Sequence, residues 1–205
     1  MNQRISPLDD GVLGPDPIRQ FEDWYRIAVD AGLKQPDAMT LATATKEGMP
    51  SARTVLLKEV THRGFVFYSN YRSRKGKELA ENPFAALVLH WVELDRAVRV
   101  EGPVTMLTAE ESDAYFSSRP REGQLSSLAS HQGEVVPDRR TVDFRFDEVA
   151  KKYEGKNIPR PRHWGGYRLS PERIEFWQHR FARMNDRILY TRKAGDRWLI
   201  QRISP

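Results

Sequence analysis

Ser51-Ala52-Arg53-Thr54-Val55-Leu56-Leu57-Lys58 is an aliphatic, partly β-branched run with cations at its third and last positions. Such a run without Gly or Pro reads as a strand, and it predicts one over residues 51–60. Side chains alternate along a strand, so Arg53 and Lys58, an odd number of positions apart, point to opposite faces of a regular one. They then serve different anions, unless a bulge intervenes. Upstream, residues 38–44 alternate in the same way and Lys46-Glu47-Gly48-Met49-Pro50 reads as a turn. Downstream, strands are expected over residues 64–69, 84–91, 97–107, 164–169, 173–177, 187–192 and 198–203.

Helices punctuate this pattern. Asp16-Pro17 opens one, with Asp as N-cap, Pro at the first helical position and Phe21, Trp24, Tyr25 and Ala28 as its apolar stripe. Residues 73–81 form a short helix closed by Asn82-Pro83, and Thr108-Ala109-Glu110-Glu111 is a capping box. That third helix ends near Ser118, because Pro120 disfavours helical geometry at Arg119. Residues 124–130 and 143–153 are further helices. Many strands with short helices around them predict a mostly β fold with peripheral α-helices, an antiparallel barrel. No repeat or linker divides the chain. The expected organisation is an irregular N-terminal arm over residues 1–15 and a single domain over residues 16–205.

The 205 residues are 39% hydrophobic and 30% charged, which is a globular composition. Cysteine is absent, which excludes disulfides, thiolate catalysis and Cys-based metal sites. The charged N-terminus has no apolar run behind it and no stretch reaches membrane-spanning length, so a cytoplasmic protein without membrane contact is expected. A net charge of +5 and a pI near 9.5 favour anionic partners, either nucleic acid or phosphorylated small molecules.

Cations recur where an anion would explain them. In Asn70-Tyr71-Arg72-Ser73-Arg74-Lys75-Gly76-Lys77, Ser73 is an N-cap and puts Arg74 and Lys75 in the first helical turn. Cations there oppose the helix dipole, and a bound phosphate resolves the conflict; a solvated basic turn is the plainer alternative. Tyr115 and Arg119 share a helix face near its end and could converge on a phosphate, or Arg119 could simply cap carbonyls. Residues 174–187 mix aromatics and arginines, which suits stacking on a planar ring or an ordinary arginine-rich strand pair. The five histidines show no metal-ligand spacing, so no metal is expected, and there is no P-loop or G-x-G-x-x-G turn.

Together these segments resemble the pyridoxamine 5′-phosphate oxidase family. The blocks that carry the resemblance are Arg53-Thr-Val-Leu-Leu-Lys58, Phe67-Tyr68-Ser69-Asn70, Ser73-Arg74-Lys75, Ser118-Arg119-Pro120-Arg121, Trp164-Gly165-Gly166-Tyr167-Arg168, Glu175-Phe176-Trp177-Gln178 and Ile203-Ser204-Pro205. They occur in one order across nearly the whole chain. The resemblance implies an FMN-binding split β-barrel homodimer with flavin mononucleotide at the subunit interface. It implies flavin contacts at Arg53, Thr54, Val55, Leu56, Leu57, Lys58, Tyr68, Ser69, Arg74, Lys75, Gln132, Gly133, Trp177 and Arg187. It implies substrate contacts at Lys58, Tyr115, Arg119, Gly123, Arg183 and Asn185, with Arg183 and Asn185 over the reacting carbon. Arg53, Arg74 and Lys75 would meet the flavin phosphate, and Lys58, Tyr115 and Arg119 the substrate phosphate. The chemistry implied is hydride transfer from C4′ of a phosphorylated B6 vitamer to flavin, reoxidation by O2 and release of H2O2.

The chain departs from the family pattern at several positions. Asn185 stands where a histidine is usual, Ala97 where a glutamine is, and Gly123 where a serine hydroxyl serves the substrate phosphate. Leu128 and Gly133 replace Trp and Ser, and His179 and Arg180 replace glycines. Asn185, Ala97 and Gly123 favour a related FMN oxidase or reductase of another substrate, as in phenazine biosynthesis. A basic nucleic-acid-binding module, and a carrier that binds without turnover, are the remaining alternatives; the first has no recognition motif.

Overall fold

The computed structural model describes Leu8 and residues 13–205; most of the expected N-terminal arm lies outside the described residues. Helix α1 (Pro17–Asp30) starts where Asp16 accepts from the amides of Ile18 and Arg19, at 2.9 and 3.5 Å. Its apolar stripe buries Phe21, Trp24 and Ala28. Phe21 meets Phe65 edge-to-face at 4.9 Å and Trp24 meets Phe176 at 5.2 Å, which fastens the helix to the barrel wall.

Strands β1 (Ala38–Ala44) and β2 (Pro50–Leu56) form an antiparallel hairpin with Ala38 opposite Leu56. The strand expected over residues 51–60 is broken. The Leu57 amide donates to Asp37 O at 2.8 Å and the Lys58 amide to Val66 O at 2.9 Å. The chain thereby leaves β1 and enters β3 (Glu59–Thr61), which pairs with β4 (Gly64–Asn70) instead. Lys58 thus sits at a switch between sheets, and alternation along a single strand no longer relates it to Arg53.

Helix α2 (Arg74–Glu81) leads to β5 (Phe84–Trp91) and the long β6 (Arg96–Met106). Strand β6 pairs with β5 up to Pro103 and with β7 (Trp164–Leu169) from Val104 onward. Pro103 has no amide hydrogen, so the change of partner falls where the ladder loses a donor. Strands β8 (Arg173–Gln178), β9 (Asp186–Arg192) and β10 (Trp198–Arg202) extend the other edge. The order β10-β9-β8-β6-β5-β1-β2 leaves β2 at an edge, while β3, β4 and β7 branch from β6 as the second leaf of a split β-barrel. Between the leaves lie Leu41, Phe65, Phe67, Leu87, Leu89, Val98 and Phe176, all at 0% exposure.

Helices α3 (Ala109–Ser118), α4 (Arg121–Ala129) and α5 (Arg139–Lys152) lie outside the barrel. Thr108 and Glu111 make both bonds of the capping box. Helix α4 begins at Arg121 rather than Gln124, because Pro120 occupies the cap position with extended ψ. Helix α5 begins at Arg139 rather than Asp143, because Asp138 caps it through the Thr141 amide at 2.8 Å. No described helix is long and apolar enough to cross a membrane.

Candidate functional site

The break after Leu56, strand β4, the start of α2 and the ends of α3 and α4 surround a cleft of about 400 Å³. From β2 and the switch behind it come Thr54, Val55, Leu56 and Lys58. Because β2 is an edge strand, its outward N–H and C=O groups have no ladder partner among the described strands and are available to a ligand. Strand β4 contributes Tyr68 and Ser69, and α2 contributes Lys75. Tyr115, Arg119 and Gln132, also expected from the sequence, line it too, whereas Gly123 does not.

Lys75 is the electrostatic centre of the cleft. It is 7% exposed and donates to Ser69 Oγ at 3.1 Å, Gln132 Oε1 at 3.1 Å and Ser73 Oγ at 3.3 Å. No described carboxylate lies within ion-pair distance of it. Burial, aided by the nearby Arg53 charge, pulls its pKa down to about 8. A buried ammonium held only by neutral acceptors at a helix N-terminus is a site made for an anion.

Arg53 and Arg74 behave differently. Both bind Glu78, at 3.2 and 2.8 Å, and Glu78 also accepts from Thr43 at 2.5 Å and Ser51 at 2.6 Å. Arg53 further donates to Ser51 and Thr43. Glu78 is 3% exposed; its pKa falls to about 2, as four hydrogen bonds outweigh the desolvation that pushes it up. Arg53 therefore does not line the cleft. Arg74, Glu78 and Gly133 line an adjoining hollow of about 650 Å³ that shares Asn70 and Gln132 with it. Leu57 is buried in the core and does not line the cleft.

At the opposite end, Tyr68 stacks on Tyr115 at 3.8 Å, and on Trp164 at 5.4 Å. Gly166, opposite Tyr68 in the β4–β7 ladder, makes this possible: a Cβ there would lie 2.9 Å from Tyr68 Cε1 and 2.4 Å from Leu107 Cδ1. Burial pushes the Tyr68 phenol up to about 12, so it keeps its proton and can donate. Arg119 lies 4.7 Å over the Trp164 ring and donates to Ser127 Oγ at 2.5 Å, again with no described carboxylate partner. Lys58 lines the same end and pairs with Asp37 at 2.9 Å. The cleft thus offers the Lys75 cluster, the Arg119 and Lys58 cations, an aromatic wall and an open strand edge. That donor set fits a phosphate monoester carrying a planar ring, with room for a second anion.

Trp177 and Arg187 line neither hollow. Trp177 lies beside Ala97 and His90 in a shallow depression of about 230 Å³ on β6 and β8. Arg187 is locked to the buried Glu175 at 2.7 and 3.1 Å. Arg183 and Asn185 sit in the β8–β9 connection, where Ala182 and Arg183 both hold positive φ, 55° and 62°. Asn185 accepts from the Arg180 amide at 2.9 Å, and Phe181 is 93% exposed beside it. Asn70, Ser126, Ser127, Ser130 and Trp164 line the cleft without having been singled out as contacts. The serines carried a signal, since their spacing shares a helix face. Glu78 carried another, as an acid one turn after Arg74.

Two family models match the chain: "Pyridoxamine 5′-phosphate oxidase" over residues 26–153, and "Pyridoxine 5′-phosphate oxidase C-terminal dimerisation region" over residues 164–205. A pyridoxine/pyridoxamine 5′-phosphate oxidase of Paraburkholderia phymatum is 51% identical over 204 residues, covering 100% of this chain and 96% of that protein. One from a Cyanothece species is 48% identical, covering 98% and 94%. Among solved structures, PhzG from Burkholderia lata, in complex with tetrahydrophenazine-1-carboxylic acid, superposes with a TM-score of 0.91 at 30% identity, covering 98% of both chains. An FMN-binding protein of Nostoc punctiforme shares the fold, with a TM-score of 0.74 at 16% identity over 93% of this chain and 98% of that one.

Proposed function

Because the chain belongs to the pyridoxamine 5′-phosphate oxidase family, we propose that it binds FMN and oxidises pyridoxine 5′-phosphate or pyridoxamine 5′-phosphate to pyridoxal 5′-phosphate. Two cations that line one cleft without a described carboxylate in ion-pair contact, Lys75 and Arg119, carry this reading. One end takes the cofactor phosphate and the other the substrate phosphate. FMN, when bound, supplies the acceptor for a hydride from C4′ of the vitamer and passes the electrons to O2. The alcohol and O2 yield the aldehyde and H2O2; the amine, O2 and water yield the aldehyde, ammonia and H2O2.

The chain's own share is binding and orientation. Lys75, Ser69 and Gln132 hold the flavin phosphate, with Arg74 at the margin, while Arg53 supports them through Glu78. The open edge of β2 at Thr54, Val55 and Leu56 meets the polar rim of the flavin ring. Lys58, Tyr115 and Arg119 hold the substrate phosphate, which lays its ring along the flavin. Trp177, Arg183, Asn185 and Arg187 lie within the stretch that matches the dimerisation region. A second copy of the chain would bring them to the cleft and complete it, with Arg183 and Asn185 covering the vitamer.

A second reading keeps the cofactor and changes the substrate to a tricyclic acid. The likeness to PhzG and the presence of Asn185 and Gly123 favour it; identities of 48–51% to the vitamer oxidases favour the first. Steady-state oxygen consumption separates them. Saturable turnover of pyridoxine 5′-phosphate at low micromolar KM supports the proposal, and turnover confined to a dihydro- or tetrahydrophenazine acid overturns it.

A further inference from the structure

Arg119 is held in an unusual way. Its guanidinium donates to Ser127 Oγ at 2.5 Å, and Ser127 in turn donates to Gly123 O at 3.0 Å. The hydroxyl proton is therefore committed to the helix backbone, and the lone pairs face the guanidinium. Ser127 is 8% exposed, one turn beyond Gly123 on α4. The same guanidinium packs against the open side of Gly123: a Cβ there would lie 3.2 Å from Nη2, 3.5 Å from Cζ and 3.6 Å from Nε, which a shift of the fork by a few tenths of an ångström would accommodate. The Trp164 ring supplies a further packing surface at 4.7 Å. The fork thus lies against Gly123 and is hydrogen-bonded by a serine one turn later.

We propose that Ser127, paired with Gly123, is the positioning residue that aims Arg119 at the substrate phosphate and so sets the selectivity of the cleft for phosphorylated ligands. The proposal rests on the reading of this cleft end as a substrate-phosphate site. With Nη1 tied to Ser127, the remaining N–H groups of the fork are left for the ligand. The hydroxyl missing at position 123 is in effect moved along the helix, behind the arginine instead of beside the phosphate. The Trp164 and Phe116 rings, at 4.7 and 6.0 Å, hold the cation without the serine, so the serine governs direction rather than the presence of the cation.

The test uses FMN-saturated protein, with inorganic phosphate and pyridoxine 5′-phosphate as probes. Ser127→Ala should weaken inorganic phosphate binding, measured by calorimetry, about tenfold, the worth of one charge-assisted hydrogen bond. The ratio of kcat/KM for pyridoxine 5′-phosphate to that for free pyridoxine should fall by a similar factor, through KM rather than kcat. In the Ser127→Ala background, Gly123→Ser should recover much of that ratio, since its hydroxyl falls beside the fork that the first substitution has released. Phosphate binding unchanged within twofold overturns the proposal. So does an equal loss for free pyridoxine, or no recovery in the double variant, because each places the effect in helix packing. Failure of the wild-type chain to turn over either vitamer would refute the oxidase reading alone; the phosphate titration still decides the role of Ser127.

Discussion

Replacing Lys75 by methionine should stabilise the flavin-free protein and weaken its hold on flavin. The ammonium is 7% exposed, and its pKa falls from 10.5 to about 8, chiefly through burial. At about 1.4 kcal/mol per unit, the buried charge costs the apoprotein about 3 kcal/mol at neutral pH. Methionine keeps the stem packing but gives up hydrogen bonds to Ser69, Ser73 and Gln132. Those are worth about 1–2 kcal/mol together, since Ser69 and Gln132 also bond each other at 3.3 Å. The net gain is about 1–2 kcal/mol in urea unfolding at pH 7. The pH dependence is sharper. Between about 8 and 10.5 the unfolded lysine holds a proton that the folded one has lost, so wild-type stability rises across this window by up to about 3 kcal/mol relative to the variant. With FMN the order reverses, because removing one partner of a buried charge pair costs about 3–5 kcal/mol, a hundredfold or more in Kd. Parallel stability curves from pH 7 to 10.5, or an unchanged flavin Kd, would refute the reasoning.

Glu78→Gln should remove an acid-sensitive clamp. A carboxyl lowered from 4.5 to about 2 stabilises the fold fully above pH 4.5 and loses that contribution as pH falls toward 2. The full shift corresponds to about 3 kcal/mol, reduced to about 2 by the water of the adjoining hollow; acid unfolding followed by tryptophan fluorescence should show a flatter profile for the variant in that range. Gly166→Ala forces a methyl to 2.4 Å from Leu107 and 2.9 Å from Tyr68. The expected cost is about 1–3 kcal/mol in denaturant unfolding, with weaker flavin binding as Tyr68 shifts. Asp16→Ala removes the α1 cap and should cost about 1 kcal/mol, read as a thermal midpoint lower by roughly 2–4 °C with flavin content unchanged.

The strands were legible because they obey a local rule. Residues 38–44 alternate and residues 84–91 are a short apolar run, and the structure bounds both strands at those residues. The caps at Asp16, Ser73 and Thr108 were legible for the same reason: each satisfies amides within its own first turn. What escaped was set by distant partners. The break after Leu56 depends on Asp37 O and Val66 O, neither of which a periodicity can see. Arg53 reads as a free cation, and its pairing with Glu78, on another element, is invisible to that reading. The basic turn at Arg74 and Lys75 reads as two equivalent cations, yet one is half of an ion pair and the other is buried without one among the described residues. Trp177 and Arg187 carry strong local signals, and one copy of the chain still places them away from the cleft. Under the proposed function a second copy of the chain brings them to it.

The most direct test is anaerobic reduction of the bound flavin. The purified protein is loaded with FMN under nitrogen, mixed with pyridoxine 5′-phosphate or pyridoxamine 5′-phosphate, and followed near 450 nm. The account predicts bleaching of about one flavin per chain, formation of pyridoxal 5′-phosphate in equal amount, and return of the yellow band with H2O2 on admitting air. A flavin that binds tightly yet stays oxidised with both vitamers would contradict it.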